Sequence, residues 1–209
     1  MIAYAARTGT RRNLDVLRRN GWRLLVSARG ELRPEGFRYG LDNGAWTAHS
    51  RGEAFDEKAF GVAVERLGAG ADFVVVPDIV CGGTRSLDLS LRWLDRLRGV
   101  CPVLLLAVQD GFTEEEVGGL LGPGVGVAVG GSTAWKEGTA AAWGRLAEAR
   151  GAWCHVLRVN TVRRIRICRD ARATSFDGSS VSRFAVNADR LSVEVRQIGL
   201  FESPIKPGG

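Results

Sequence analysis

Residues 73–111 read FVVVPDIVCGGTRSLDLSLRWLDRLRGVCPVLLLAVQDG, and this stretch decides the fold. It opens on Phe73-Val74-Val75-Val76-Pro77-Asp78, a continuous apolar run that finishes in a polar residue. A helical segment from about Thr84 to Arg98 follows, with Leu87, Leu91, Leu94 and Leu97 spaced three or four apart. A second apolar run, Val103-Leu104-Leu105-Leu106-Ala107-Val108, then ends in Gln109-Asp110-Gly111. Strands that are apolar at every position, rather than at alternate ones, are those of a parallel sheet covered on both faces. Two such strands separated by a helix make a βαβ unit.

The alternation extends outward from this unit in both directions. Towards the N-terminus lie strand-like Ile2–Ala6, an Arg-rich helical segment from Asn13 to Arg19 ended by Gly21, and the runs Trp22–Ala28 and Arg38–Asp42. A helix carrying Phe60, Val62, Val64 and Leu67 comes next, with Asp56 as its N-cap and Gly68-Ala69-Gly70 as its stop. Towards the C-terminus, Thr113-Glu114-Glu115-Glu116 has the form of a capping box, and Gly122-Pro123-Gly124 marks a turn. Strand Val125–Val129, a long helix from Ala134 to Arg150, strand Trp153–Val159, a basic helix from Thr161 to Ala171 and a short strand Thr174–Asp177 complete the series. Eight strands alternating with helices predict an α/β chain folded as a compact (β/α)8 TIM-like barrel, in preference to an open doubly wound sheet.

Composition bounds what such a barrel does. The 209 residues are 45% hydrophobic and 25% charged, with a mean hydropathy of −0.03, which excludes a disordered or fibrous chain. About 200 residues is the lower edge for a complete barrel, so residues 1–209 are expected to form a single domain with a short tail from 201 to 209. No apolar run approaches a membrane span, and the N-terminus lacks a signal-peptide pattern, so a soluble, cytoplasmic protein is expected. Lys and Arg number 29 against 23 Asp and Glu, and only Lys58, Lys136 and Lys206 among the 29 are lysines. Such an arginine excess suits phosphate and nucleic acid, and arises equally from a GC-rich genome. The four cysteines form no CxxC pair and read as buried reduced thiols, and two histidines, His49 and His155, are too few for a histidine-rich zinc site.

In a barrel of this kind chemistry is placed on the loops that follow the strands. Those strand ends carry Asp42-Asn43-Gly44, Pro77-Asp78, Gln109-Asp110-Gly111, Gly130-Gly131-Ser132, Arg158-Val159-Asn160 and Phe176-Asp177-Gly178. Asp, Asn and Gly are turn formers and each step alone is explained that way. Turn chemistry accounts neither for Gln109 nor for three carboxylates, Asp42, Asp78 and Asp177, on one rim. Carboxylates gathered at one mouth suit acid/base or nucleophilic chemistry, and a pair about 5–5.5 Å apart suits a retaining displacement at a sugar carbon. Walker, GxGxxG and HExxH motifs are absent from the sequence.

The ordered set LDNGAW, VVPDIV, LAVQDG, AVGGS, HVLRVNT and SFDGSS, spread over residues 38–185, resembles the tRNA-guanine transglycosylase superfamily. It is most similar to the short phage and bacterial members (DpdA type) that place 7-deazaguanines in DNA. The resemblance implies exchange of guanine for a 7-deazaguanine, such as a preQ0-type base, through a covalent aspartyl-glycosyl intermediate with retention. It implies Asp177 as the nucleophile and Asp42 as the general acid/base. It further implies that Asp78 and Gln109 read the edges of the purine and that Gly130 and Gly131 contact it through their backbone. Trp46 is a candidate for stacking on a base or for packing in its loop. Arg158, Asn160, Arg163, Arg164 and Arg183 are candidates for the nucleic-acid backbone, with Arg166, Arg169 and Arg172 nearby. His155 lines the same path or serves as a structural histidine.

The tRNA enzymes of this superfamily carry a zinc site of three cysteines and a histidine, and nothing after Asp177 here is Cys or His. No zinc or other cofactor is therefore expected, DNA is favoured over tRNA as the substrate, and specificity falls to the barrel's loops, a homodimer partner or a second protein. Leu157 stands in HVLRVN where a smaller residue is expected. Base exchange on RNA, simple N-glycoside hydrolysis and a non-catalytic nucleic-acid-binding subunit are the competing readings.

Overall fold

The computed structural model describes residues 1–197; the predicted tail 201–209 lies outside the described residues. Eight strands, β1 (Ile2–Ala6), β2 (Arg23–Ser27), β3 (Tyr39–Asp42), β4 (Val74–Val75), β5 (Leu104–Val108), β6 (Val125–Val129), β7 (Cys154–Val156) and β8 (Ser175–Gly178), pair in sequence order. They are parallel throughout, and β8 returns to β1 to close the barrel. The helices are α1 (Arg11–Arg19), α2 (Ala45–Ser50), α3 (Glu57–Leu67), α4 (Thr84–Leu97), α5 (Glu114–Gly118), α6 (Thr133–Ala149), α7 (Val162–Asp170), α8 (Ser180–Arg183) and α9 (Ala185–Arg196). The predicted eight-stranded α/β barrel is thus the observed fold. Among the described residues no helix is long and apolar enough to cross a membrane.

Helix starts follow the backbone chemistry of their capping residues. Asp56 caps α3 by accepting from the Ala59 amide, and Thr113 and Glu116 form the reciprocal capping box on α5. Four elements differ from the sequence expectation. Strand β4 is shorter than the run 73–78, since Pro77 has no N–H to give a ladder. Helix α2 follows β3 directly, and α9 closes the helical layer between α1 and α7, with Trp22 Nε1 donating to Ser192 Oγ at 2.7 Å. The buried face of α4 is Ser86, Ser90, Trp93, Leu94 and Leu97, leaving Leu87 and Leu91 only half-buried.

The barrel interior holds its own apolar cluster of Tyr4, Leu25, Phe73, Val75, Leu105, Ala107 and Ala128, separate from the core beneath the helices. Phe73 fills the space opposite Gly40, where any Cβ would overlap its ring. At the N-terminal end, Asp72 accepts from Tyr4 Oη at 2.9 Å and is ion-paired to Arg23 and Arg38, and these groups close the bottom. The filled base leaves the C-terminal mouth as the open end of the barrel.

Candidate active site

Asp177 sits at the top of β8, 7% exposed, and its surroundings are built by period-two alternation. Trp153, His155 and Leu157 share one face around β7, and Ser175 and Asp177 share the inward face of β8. Register sets His155 beside Ser175. The Trp153 indole donates to Ser175 Oγ at 2.7 Å, Ser175 Oγ lies 2.7 Å from His155 Nδ1, and His155 Nε2 lies 3.3 Å from Asp177 Oδ1. The indole N–H only donates, so Ser175 Oγ accepts from Trp153, while the contact between Ser175 Oγ and Nδ1 takes its direction from the His155 tautomer. A carboxylate at Asp177 accepts the Nε2–H. His155 is fully buried between the Tyr4 and Phe73 rings, which fixes its plane.

The Arg158 backbone N–H donates to the same oxygen, Asp177 Oδ1, at 3.0 Å. Asp177 Oδ2 makes no hydrogen bond among the described residues and is not enclosed, so one oxygen is pinned and the other faces the mouth.

The other two carboxylates lie close by. Asp42 accepts from the Gly44 amide at 3.1 Å, and strand register places it beside Ser27 of β2. Burial, and then the charge of Asp177, push its carboxyl up to about 6, although one edge stays accessible at the mouth. Burial likewise pushes Asp78 up to about 6, against the pull of Asn43 and Arg158. Asn43, 3% exposed, donates to both Val76 O and Asp78 Oδ1 at 2.8 Å and accepts from the Ala45 amide. On the α4 side, Ser90 donates to Pro77 O at 2.8 Å and Ser86 accepts from the Ile79 amide at 3.0 Å. The backbone on either side of Asp78 is therefore held by two buried serines, which explains the rotated face of α4. A cleft of about 340 Å³ opens beside Asp78, walled by Ala45, Ala48, Phe55, Val80 and Leu89.

Arg158 crosses the mouth. Its backbone is left-handed (φ 60°), its guanidinium donates to Gly131 O at 2.6 Å, and the group lies 3.9 Å over the Trp46 ring. Trp46, on α2, is therefore stacked by a cation from this chain. Gly130 N–H is bonded to Val108 O. Gly131 is left-handed (φ 73°), and a Cβ there would also strike the Asp110 carboxylate, which caps the Ser132 turn through both of its oxygens.

Several predicted site residues have different work. Both ends of the buried Gln109 amide are engaged, Oε1 by the Cys81 N–H at 2.7 Å and Nε2 by Ile79 O at 2.8 Å, so Gln109 ties β5 to the loop after β4. Asn160 Oδ1 accepts from the Ser179 and Ser180 amides and holds the start of α8. Arg163 and Arg164 are both ion-paired to Glu137, Arg166 and Arg169 to Glu194, and Arg172 to Glu148, so α7 does not present an unpaired basic row. Arg183 is exposed on α8 with no ion pair among the described residues. Leu157 joins the inner apolar cluster and abuts Gly130, narrowing the mouth. Sequence reasoning missed Asn43, Ser86, Ser90 and Ser175, and it left the place of His155 open. The alternation Trp153, His155, Leu157 was the available signal that His155 points into the barrel.

Among the described residues no group of three or more His, Cys, Asp or Glu is arranged to hold a metal ion. Cys154 and Cys168 are buried free thiols pushed up to about 12 by burial. Fold and rim together define an α/β barrel whose C-terminal mouth carries three carboxylates under one arginine. No family model and no curated protein matches the chain. Solved structures do match, among them RipC from Yersinia pestis, which is 11% identical with a TM-score of 0.54 over 94% of this chain and 98% of that one. At that identity the likeness establishes the barrel and nothing about its chemistry.

Proposed function

We propose that this barrel exchanges guanine in DNA for a 7-deazaguanine base, with Asp177 as nucleophile and Asp42 as general acid/base. The observation that carries the reading is the pairing of two carboxylates in opposite surroundings. Asp177 has one oxygen fixed by two donors and the other free at the mouth, while Asp42 is buried beside it and titrates near 6. In the first half-reaction Asp177 Oδ2 attacks C1′ as the bond from C1′ to the purine nitrogen breaks, and Asp42 passes its proton to the departing guanine. In the second, Asp42 takes a proton from the incoming 7-deazaguanine, whose nitrogen bonds to C1′ from the same face and releases Asp177. Two inversions give net retention.

Asp78, held by Asn43 and with Oδ2 free, matches the N1–H and amino donors of a guanine edge. The neighbouring cleft supplies room for a substituent. For a base to reach Asp177, the target nucleotide has to be flipped or single-stranded.

The test is to incubate the protein with a guanine-containing DNA oligonucleotide and look for an adduct that survives denaturation. The wild type traps it and Asp177→Ala does not; an adduct that persists in Asp177→Ala refutes the assignment. Labelled guanine enters DNA and not tRNA in parallel assays. Labelling of tRNA alone overturns the substrate, and release of free guanine without incorporation replaces exchange by hydrolysis.

A further inference from the structure

Lys136 of α6 is the one lysine whose side chain is buried among the described residues, 5% exposed, and the proposed mechanism does not use it. Its Nζ donates to Leu157 O at 2.5 Å. Leu157 C=O and Arg158 N–H belong to the same peptide unit, and that N–H is the one that donates to Asp177 Oδ1 at 3.0 Å. The ammonium, the peptide dipole and the carboxylate therefore stand in line, with the positive charge on the carbonyl and the negative charge on the amide hydrogen.

We propose that Lys136 is a positioning residue that acts on Asp177 through the 157–158 peptide, polarising its N–H towards the carboxylate and holding the left-handed turn at Arg158. The inference rests on the reading of Asp177 as nucleophile for its functional meaning, but the electrostatic coupling itself does not depend on any activity. A buried ammonium with a single carbonyl partner is costly unless another charge compensates it. Asp177 is the carboxylate that faces it; Arg158 and Arg164 oppose its charge, and the Cys168 thiol packs alongside. Burial, followed by Arg158, brings the Lys136 ammonium down to about 8. Around Asp177 the other charged or titratable neighbours are His155 from β7, the Arg158 guanidinium and Asp42 from β3. A charge aligned through one rigid peptide strengthens the acceptor interaction without competing for the free oxygen, which a direct Lys–Asp ion pair would occupy.

The experiment follows the Arg158 backbone amide by NMR in 15N-labelled protein. Lys136→Met, which keeps the length and loses the charge, is expected to move the Arg158 amide proton upfield as its hydrogen bond to Asp177 Oδ1 weakens, and Asp177→Asn to move it the same way. An unmoved Arg158 amide in Lys136→Met overturns the proposal. The second measurement needs no variant: in the wild type the Arg158 amide resonance is expected to inflect near pH 8 as Lys136 loses its proton. A flat Arg158 amide between pH 7 and 9 overturns it equally. If base exchange proves absent while the Arg158 amide moves, the functional reading falls and the coupling stands. If exchange is present, kcat falls in Lys136→Met and KM stays unchanged.

Discussion

Asp42 and Asp177 carry the same side chain on the same rim and receive opposite treatment. Asp177 is met by two N–H donors, whereas Asp42 is buried beside another carboxylate. This difference has a measurable consequence for stability. The folded protein holds the Asp42 proton up to about pH 6, while an unfolded aspartate releases it near 4. Between those values the folded state binds more protons than the unfolded one, so raising the pH removes stability, up to about 3 kcal/mol for this group. Asp42→Asn has no charge to acquire. Its stability relative to wild type, measured by urea unfolding, is expected to rise between pH 4.5 and 7.5 and to level off above that. A difference independent of pH contradicts a raised Asp42 carboxyl. At the same scale, Gly40→Ala sets a methyl against the Phe73 ring and is expected to cost about 1–3 kcal/mol in the same assay.

Among the elements, α4 illustrates how the demands of a neighbouring loop turn a helix away from its simplest pattern. Leu87, Leu91, Leu94 and Leu97 predict a leucine face, yet the helix is rotated so that Ser86 and Ser90 point inward and hold the backbone around Asp78. Removing either hydroxyl leaves a buried backbone group unsatisfied, at about 1–3 kcal/mol. Ser86→Ala with Ser90→Ala is therefore expected to lower the thermal midpoint and to weaken guanine binding together, as calorimetry and equilibrium binding report. Unchanged binding in a destabilised double variant separates Asp78 from base recognition. The capping box and N-caps were legible because they depend on residues three apart in sequence. The α4 rotation was not, since its cause is a pair of backbone groups outside the helix.

For the whole molecule, the formal charge of +6 is spread unevenly once the structure pairs it. The α7 arginines are occupied by Glu137 and Glu194; Arg163 at the surface is the most exposed of them, and an exposed pair of that kind is worth roughly 0–1 kcal/mol, so a phosphate competes with it readily. If Arg163, Arg164 and Arg183 track a DNA backbone, oligonucleotide affinity falls steeply with salt. Replacing all three by alanine then lowers the slope of log affinity against log salt by about 0.7–0.9 for each phosphate that is no longer neutralised. An identical slope in the triple variant moves the nucleic-acid path elsewhere on the barrel.

The barrel itself was readable because parallel strands covered on both faces are largely apolar, and such runs at β4, β5 and β6, alternating with helices, leave few topologies. The rim was readable for a related reason: each run has to end in a polar residue or glycine where the chain leaves the core. The bonds that each rim residue makes were decided only in three dimensions. Gln109 clamps a loop, Asn160 anchors a helix, and His155 is the neighbour of Asp177. The sequence carries the periodicity that drives burial, because that is a property of consecutive residues. Hydrogen-bond partners and raised acidities depend on groups many residues away, and the closure of the barrel brings those groups together.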